Sequence, residues 1–153
     1  MRALITGGCG FIGSHLAEAL LAMGDSVTVV DDLSTGKLPN VAHLIDRDGF
    51  RFAIETITNE AVMDRLVSEC DIIYHLAAAV GVELIVRDPV HVIETNIIGS
   101  EAVLRIGARY RKKVILASSS EVYGKSEAVP FREDADRVLG PTTHSRWSYA
   151  CSK

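Results

Sequence analysis

Residues 2–13, RALITGGCGFIG, decide the fold class of this 153-residue chain. The run RALIT predicts a β-strand, and apolar residues at helical spacing over 11–23 predict the helix that follows it. Between them lie three evenly spaced glycines, Gly7, Gly10 and Gly13. Glycine suits such a junction because the chain must turn tightly, approach a pyrophosphate with its backbone and pack the helix closely on the sheet. The stretch therefore predicts a dinucleotide-binding loop rather than an ordinary turn.

The residues after this loop indicate which dinucleotide it would hold. The first N–H groups of the helix, at the positive end of its dipole, are expected to bind the phosphates. Asp31 follows the second predicted strand, 26–30, where a carboxylate can accept hydrogen bonds from the adenosine ribose. It would repel a 2′-phosphate, and the first basic residue after it is Lys37, so NAD is favoured over NADP. Without the glycine loop, Asp31 could equally be a solvated acid.

Strands and helices alternate along the rest of the chain. This alternation predicts a Rossmann-type, doubly wound parallel sheet with helices on both faces and strand order 3-2-1-4-5. We expect residues 1–153 to form one NAD-binding domain, with loops over 76–82 and most of 118–148. Further strands are predicted at 50–54, 71–75 and 113–117, and further helices from Asn59 to about Ser68, from Asp88 to about Tyr110 and from Trp147 onward.

Composition excludes several function classes. Lys and Arg number 16 against 20 Asp and Glu, so the net charge of −4 leaves no positive excess for a nucleic acid, and no polybasic run marks a membrane surface. The first apolar run is too short for a signal peptide or a membrane span, so we expect a cytoplasmic protein. The cysteines have no CxxC spacing and are expected to be reduced thiols without a metal site; they are Cys9, Cys70 and Cys151.

Residues at the carboxyl ends of the fourth and fifth strands are candidates for a ligand site, because open α/β sheets bind ligands along that edge. Residues 76–78, LAA, offer backbone and small side chains to a flat cofactor. His75 could act as a base, but a single His at the end of an apolar strand is more often structural. Asn96 lies in the middle of a predicted helix, an unusual place for an amide unless it bonds across a packed interface, so structural and functional roles are both open.

Tyr149 and Lys153 form a YxxxK pattern near the end of the chain. Residues four apart share a face of a helix, so the ammonium group would lie near the phenol. A nearby cation favours the phenolate, which enables the phenol to exchange protons. The pattern alone is weak. It gains weight from the upstream hydroxyl-rich segment 118–120, SSS, which is expected to reach the same substrate oxygen.

Taken in order, these motifs resemble the extended short-chain dehydrogenase/reductase family, specifically its NAD-dependent nucleotide-sugar epimerase/dehydratase branch. The resemblance implies a Rossmann fold, NAD as the cofactor and a nucleotide sugar, UDP-linked, as the substrate. It covers the whole chain and is carried by TGGCGFIGSHL at 6–16, Asp31, HLAA at 75–78 with Gly81-Val82 after it, Asn96, SSSEVYG at 118–124 and YACSK at 149–153.

The resemblance also implies roles for individual residues. Tyr149 would exchange a proton with a sugar hydroxyl at C4, Lys153 would hold the nicotinamide ribose and ease that proton's release, and Ser119 would hydrogen-bond the reacting oxygen. Hydride would pass between the sugar and the nicotinamide, and in a 4-epimerase it would return to the other face of the sugar. Besides Tyr149 and Lys153, the cofactor positions of the family fall on Gly7, Gly10, Phe11, Ile12, Gly13, Asp31, Asp32, Leu76, Ala77, Ala78 and Asn96.

Two departures from the family pattern affect the expected activity. Glu55-Thr56 stands where family members commonly carry Gly-Asp, whose Asp meets the adenine, so this contact is in question. Ser120-Glu121, two candidate substrate residues, stands where sugar dehydratases carry Asp-Glu, which disfavours dehydration and resembles the nucleotide-sugar decarboxylases. Segment 75–82 resembles the 4-epimerases instead. We therefore expect a UDP-glucose 4-epimerase-like enzyme, with a UDP-glucuronate decarboxylase-like enzyme or a non-catalytic NAD-binding module as the alternatives.

The largest departure from the family pattern is the length of the chain. With 153 residues it lacks the last strands of the sheet and the substrate lobe of the family. We expect the chain to be the N-terminal part of a longer enzyme, and the homodimer common in the family is doubtful for it. Lys153 would end an unfinished helix, whereas catalysis needs placement within a fraction of an ångström. The isolated chain is therefore predicted to bind NAD weakly and to convert no sugar nucleotide. Conversion detected in a coupled assay would contradict this prediction.

Overall fold

A five-stranded parallel sheet in the order β3-β2-β1-β4-β5 forms the centre of the fold, as predicted. The computed structural model describes the backbone of residues 1–153 and every side chain except that of Val82. The strands are β1 (Arg2–Thr6), β2 (Ser26–Asp31), β3 (Phe50–Ile54), β4 (Ile72–His75) and β5 (Lys113–Leu116).

Helices connect the strands, and two of them begin at the predicted caps. The side chain of Asn59 accepts a hydrogen bond from the N–H of Val62, and that of Asp88 accepts one from the N–H of His91. Each cap satisfies a backbone donor that the helix itself cannot. The helices are α1 (Phe11–Ala22), α2 (Glu60–Glu69), α3 (Val82–Arg87), α4 (Pro89–Ile93), α5 (Gly99–Arg109) and α6 (Trp147–Ser152), with a π-helical turn at Glu94–Ile98 and 3-10 turns at Leu38–Asn40, Ala42–Leu44 and Ser120–Tyr123.

The chain divides into two compact units. The first contains Met1–Ala77 and Gly99–Leu116, and therefore the whole sheet. The second contains Ala78–Ile98 and Ala117–Lys153. None of the helices in the described part of the chain has both the length and the apolar character needed to cross a lipid bilayer.

The central strands of the sheet in the first unit, β1, β2 and β4, are buried on both faces. Along β1, Ala3 and Ile5 join one apolar cluster, which includes Leu20 of α1. Leu4 points to the other face and joins a second cluster, which includes residues of α2 and α5. Because successive side chains of a strand point to opposite faces, this arrangement requires the nearly continuous apolar runs that the sequence shows.

The second unit contains helical features that are not predicted from the sequence. The loop after β4 ends at Gly81, and α3 follows where no helix is expected. This short helix has no side-chain cap, and Leu84 and Ile85 pack in a cluster with Val92 and Tyr149, so tertiary packing rather than a local signal stabilises it. The single helix predicted from Asp88 to Tyr110 is instead divided by the π-helical turn, which adds a residue to one turn.

An ion pair joins the amino ends of β1 and β4. Asp71 accepts hydrogen bonds from the backbone N–H of Arg2 at 2.8 Å and from the Arg2 guanidinium at 2.6 Å. These contacts hold the pKa of Asp71 at about 2, below its usual 3.8. Since the folded-state pKa is the lower one, the pair stabilises the fold at neutral pH and loses this effect as the pH falls through about 2.

We expect Asp71→Asn to lower the free energy of unfolding at neutral pH, and to lower it progressively less as the pH falls below 3.8. Urea unfolding of the unsubstituted chain and of Asp71→Asn at a series of pH values measures the difference in their free energies of unfolding. Asp134→Asn is the control, since it removes only an exposed local pair with Arg132 and should change little at any pH. A loss from Asp71→Asn that is independent of pH would contradict the assignment.

Candidate functional site

The glycine loop between β1 and α1 lies directly against the chain that leaves β4. Gly7 has a φ of +69°, and a Cβ atom added to it would come within 2.7 Å of the backbone nitrogen of Ala77. A Cβ atom on Gly13 would come within 2.6 Å of Gly8 Cα. Both positions therefore require glycine, for the close approaches predicted from the spacing. Gly8, which the spacing does not mark, also has no room for a Cβ atom, because the Val29 side chain covers it.

The start of α1 leaves backbone donors available to a ligand. Its cap residue, Gly10, has no side chain, and its first turn contains no acid. Within the described residues, the N–H groups of Phe11, Ile12 and Gly13 have no hydrogen-bond acceptor. The side chains of Phe11 and Ile12 are 78% and 66% exposed, so nothing in the first unit covers this end of the helix. Such a helix start fits an anionic group, and a pyrophosphate in particular.

Asp31 is fixed beside the glycine loop by backbone hydrogen bonds. One carboxylate oxygen accepts from the N–H of Cys9 and the other from the N–H of Leu33, each at 2.9 Å. A carboxylate has about four acceptor positions, so two remain for ribose hydroxyls. Asp32 differs: it is exposed, and its carboxylate closes a local turn with Ser34.

The loop after β2 also secures the glycine loop. The carbonyl oxygen of Cys9 accepts hydrogen bonds from the backbone N–H of Lys37 at 3.0 Å and from the side-chain amide of Asn40 at 2.8 Å. Burial, with a smaller contribution from Asp31, raises the pKa of the Cys9 thiol to about 11, so this cysteine is neutral and inert at ordinary pH. Asn40 is a contributor that sequence reasoning missed, since only the tertiary path of the loop brings it to Cys9.

His75 belongs to a buried chain of polar side chains in the first unit. One ring nitrogen lies 2.7 Å from the Thr6 hydroxyl and the other lies 3.0 Å from the Ser100 hydroxyl. Thr6 also accepts a hydrogen bond from the N–H of Ala77 at 3.1 Å. With 1% of its surface exposed, His75 matches the structural alternative, and it helps to hold Leu76 and Ala77 beside the glycine loop. Thr6 and Ser100 were not predicted, because nothing in the sequence pairs them with His75.

Glu55 and Thr56, at the departure from the family pattern, have local partners. The Glu55 carboxylate accepts hydrogen bonds from the N–H of Thr56 and from the side-chain amide of Asn59, which caps α2. The Thr56 hydroxyl lies 3.0 Å from that of Thr58. This pair of residues therefore organises the turn into α2.

Tyr149 of the YxxxK pair lies on α6 in the second unit, and Lys153 directly follows that helix. Tyr149 is 8% exposed and packs with Val92, whereas no described residue pairs with its hydroxyl. Burial lowers the pKa of Lys153 below its ordinary value, and among the described residues no ion pair includes it. Asn96 is 1% exposed; it exchanges hydrogen bonds with the backbone of Ala79 and donates one to the Ser152 hydroxyl at 3.0 Å. Asn96 thus ties the loop after β4 to α6, which is the packed-interface role considered for it.

The same unit contains the predicted serines and Glu121. The Ser119 hydroxyl accepts a hydrogen bond from the N–H of Glu121 and caps the 3-10 turn Ser120–Tyr123. Ser120 and Glu121 are exposed on this turn, which packs against α6. The fold thus brings the SSSE segment and the YxxxK helix into one unit. Ala78 also belongs to this unit, immediately after the chain leaves the first.

Comparison with known proteins decides the family. The family model described as GDP-mannose 4,6 dehydratase matches residues 4–153. The chain belongs to this family. Its members are NAD-dependent epimerases, dehydratases and decarboxylases of nucleotide sugars within the extended short-chain dehydrogenases/reductases, so the predicted resemblance is confirmed.

Three curated relatives show the range of this family. A UDP-N-acetyl-alpha-D-glucosaminuronate decarboxylase of Bacillus cytotoxicus is 44% identical over 99% of this chain and 46% of its own length. A UDP-glucuronic acid decarboxylase of Danio rerio is 41% identical over 87% of this chain and 31% of its own length. A probable UDP-glucuronate 4-epimerase of Rhizobium meliloti is 36% identical over 94% of this chain and 44% of its own length. The chain thus spans less than half the length of these relatives.

Solved structures of the family agree with the fold. A dTDP-glucose 4,6-dehydratase from Streptomyces venezuelae, with NAD bound, has a TM-score of 0.89 and 30% identity over 100% of this chain and 48% of its own. A UDP-glucose-4-epimerase from Stenotrophomonas maltophila, with NAD and formylated UDP-arabinopyranose bound, has a TM-score of 0.87 and 28% identity. The match covers 100% of this chain and 45% of that chain. The predicted cofactor is therefore the cofactor of the family.

The close approach at Gly7 predicts a difference between two glycine variants. Gly24 also has a positive φ, +85°, but its surroundings are open, so Gly24→Ala should cost about 1 kcal/mol of backbone strain. Gly7→Ala adds a clash with the Ala77 backbone and should cost about 3 kcal/mol or more. Urea unfolding of the two variants measures both losses. Equal losses would show that the contact with Ala77 is unimportant.

Proposed function

We propose that this chain binds NAD through its first unit and supplies Tyr149 and Lys153, in its second, for oxidation of a nucleotide sugar at C4. The observation that carries the proposal is the start of α1, where three unpaired N–H groups follow a loop that has no room for a Cβ atom at Gly7 or Gly8. We also propose that residues 1–153 are the NAD-binding part of a longer enzyme, as the share of each relative that they span suggests.

Each part of the first unit suits one part of NAD. The N–H groups of Phe11, Ile12 and Gly13 would hold the pyrophosphate, and Asp31 would accept hydrogen bonds from the adenosine ribose. The backbone at Leu76 and Ala77, fixed by Thr6, offers a flat apolar wall. When bound, NAD supplies the hydride acceptor for the sugar carbon.

The residues of the second unit would handle the proton. Tyr149 would take the proton of the C4 hydroxyl as the hydride leaves, and the Ser119 hydroxyl would hydrogen-bond the same oxygen. Lys153 is a partly desolvated cation, and its charge would favour the phenolate form of Tyr149. Asn96 would act as a positioning residue, because it fixes α6 through Ser152.

Two fates of the oxidised sugar remain candidates. We favour decarboxylation of a uronic acid: a ketone at C4 lies β to the C6 carboxylate, so CO₂ can leave while the ketone takes up the electron pair. The support is Ser120-Glu121 together with the 44% identity to a uronate decarboxylase. The 4-epimerase that segment 75–82 indicates is the second candidate, favoured by the 36% identity to a probable UDP-glucuronate 4-epimerase.

Calorimetric titration with NAD and NADP tests the cofactor assignment. The chain should bind NAD more tightly than NADP, because the Asp31 carboxylate repels a 2′-phosphate. Asp31→Asn removes this charge and should weaken NAD binding about tenfold while narrowing the preference over NADP. Asp48→Asn, the control at an exposed acid of the same unit, should change the NAD affinity little. Equal affinity for both dinucleotides, or equal effects of the two substitutions, would overturn the assignment.

UDP-glucuronate labelled at its carboxyl carbon distinguishes the two fates in the proposed longer enzyme. A decarboxylase releases the label as CO₂, whereas a 4-epimerase retains it in the product. Glu121→Gln should abolish CO₂ release, and Glu127→Gln, on the exposed segment that follows, should not. If the label is instead retained in the C4 epimer, decarboxylation is refuted and the epimerase activity takes its place as the proposed function.

A further inference from the structure

Two cations lie on the ring of Trp147, the first residue of α6. The Arg146 guanidinium carbon is 4.7 Å from the ring centroid, and the Lys125 ammonium nitrogen is 5.7 Å from it. Both side chains belong to exposed residues of the second unit. A cation over an aromatic face is attracted by the ring quadrupole, so the ring holds both positive charges beside it.

The backbone holds this arrangement in position. A Cβ atom on Gly140 would come within 2.6 Å of Trp147 Cε2, so the indole ring lies directly on that glycine. The N–H of Lys125 donates to the carbonyl oxygen of Val138 at 2.7 Å, which anchors the second cation. The ring is therefore a fixed platform rather than a loose surface side chain.

Neither cation has an acidic partner. Within the described residues, no hydrogen bond or ion pair joins Arg146 or Lys125 to a carboxylate, whereas Arg105 and Arg109 of the first unit each pair with an acid. Two like charges near one ring repel each other, and an anion bound to either of them would reduce that repulsion. The adjacent Ser148 hydroxyl is buried and has no described hydrogen-bond partner, so a second polar group nearby is unsatisfied.

This surface lies next to the proposed proton-transfer residue. Arg146 has helical backbone angles and precedes Tyr149 by three residues, a spacing that places both on one side of the helix start. The three curated relatives named above act on UDP-linked uronic acids, whose sugar carries a carboxylate. A planar guanidinium can bind a carboxylate with two parallel hydrogen bonds.

We propose that Arg146, assisted by Lys125, binds the sugar carboxylate of a uronate nucleotide and thereby selects it over the neutral sugar. The inference rests on the proposed function, which it extends by assigning a specificity-determining pair. Arg146 contributes the bidentate contact, Lys125 contributes charge, and the Trp147 ring keeps both in place. The sugar end would then be held near Tyr149.

Trp147 is the single tryptophan of the chain, so its fluorescence reports directly on this surface. Titration of the purified chain with UDP-glucuronate should change the emission, with an affinity about tenfold or more above that for UDP-glucose. Arg146→Gln should remove this preference and leave the UDP-glucose affinity unchanged. Arg146→Lys, which keeps the charge but loses the planar fork, should retain part of it. The control is Arg132→Gln, an exposed arginine of the same unit that pairs with Asp134, and it should preserve the preference.

Equal affinity for the two sugar nucleotides, binding of neither, or an unchanged preference in Arg146→Gln would overturn the assignment. Calorimetry with NAD on the same preparations keeps this result distinct from the proposed function. A chain that binds NAD but does not discriminate between the sugars refutes the carboxylate site alone. A chain that does not bind NAD refutes the proposed function.

Discussion

The backbone contact between Gly7 and Ala77 is the constraint on which the first unit depends. Parallel pairing of β1 with β4 brings the chain that leaves each strand to the same edge of the sheet. There the two backbones approach so closely that a Cβ atom at Gly7 has no place. Thr6 strengthens the junction, because its hydroxyl bonds both to the N–H of Ala77 and to His75. The start of α1 is therefore set by the sheet and not by a flexible loop.

Hydrogen bonds make this junction rigid. Together the glycine loop, residues 7–13, and Asp31 form a cradle for the dinucleotide. Cys9 receives two donors at its carbonyl oxygen and gives its N–H to Asp31, so the middle of the glycine loop is fixed on both sides. Asp31 in turn is buried, and each of its carboxylate oxygens accepts a backbone hydrogen bond, which reduces the cost of burying the charge. A cradle fixed in advance loses little entropy when a ligand binds, because its donors already point outward.

The second unit shows how a short segment can be held without local signals. α3 and α6 have six residues each, too short to be stable alone. They persist because Ile85, Val92 and Tyr149 share one apolar cluster and because Asn96 bonds to both the loop and Ser152. The polar residues of this unit, including Ser119, Arg146 and Lys153, are therefore presented by tertiary packing. The polar residues of the second unit can therefore differ between proteins while the dinucleotide-binding residues of the first unit stay the same. This fits a family that carries out several reactions with one cofactor.

The sequence by itself determined the sheet. Runs such as RALIT and SVTVV predict strands buried on both faces, and the glycine spacing predicts the strand-to-helix junction. The strand order follows from the general rules for parallel sheets with helical crossovers. The caps Asn59 and Asp88 are equally local. Tertiary structure alone decided the bonds of Asn40 to Cys9, of His75 to Ser100 and of Asn96 to Ala79. It also decided α3 and the two cations on Trp147. Apart from Arg146 beside Trp147, these contacts join residues that are well separated in the chain. No periodicity or cap predicts them, because their energy exists only once the chain has folded.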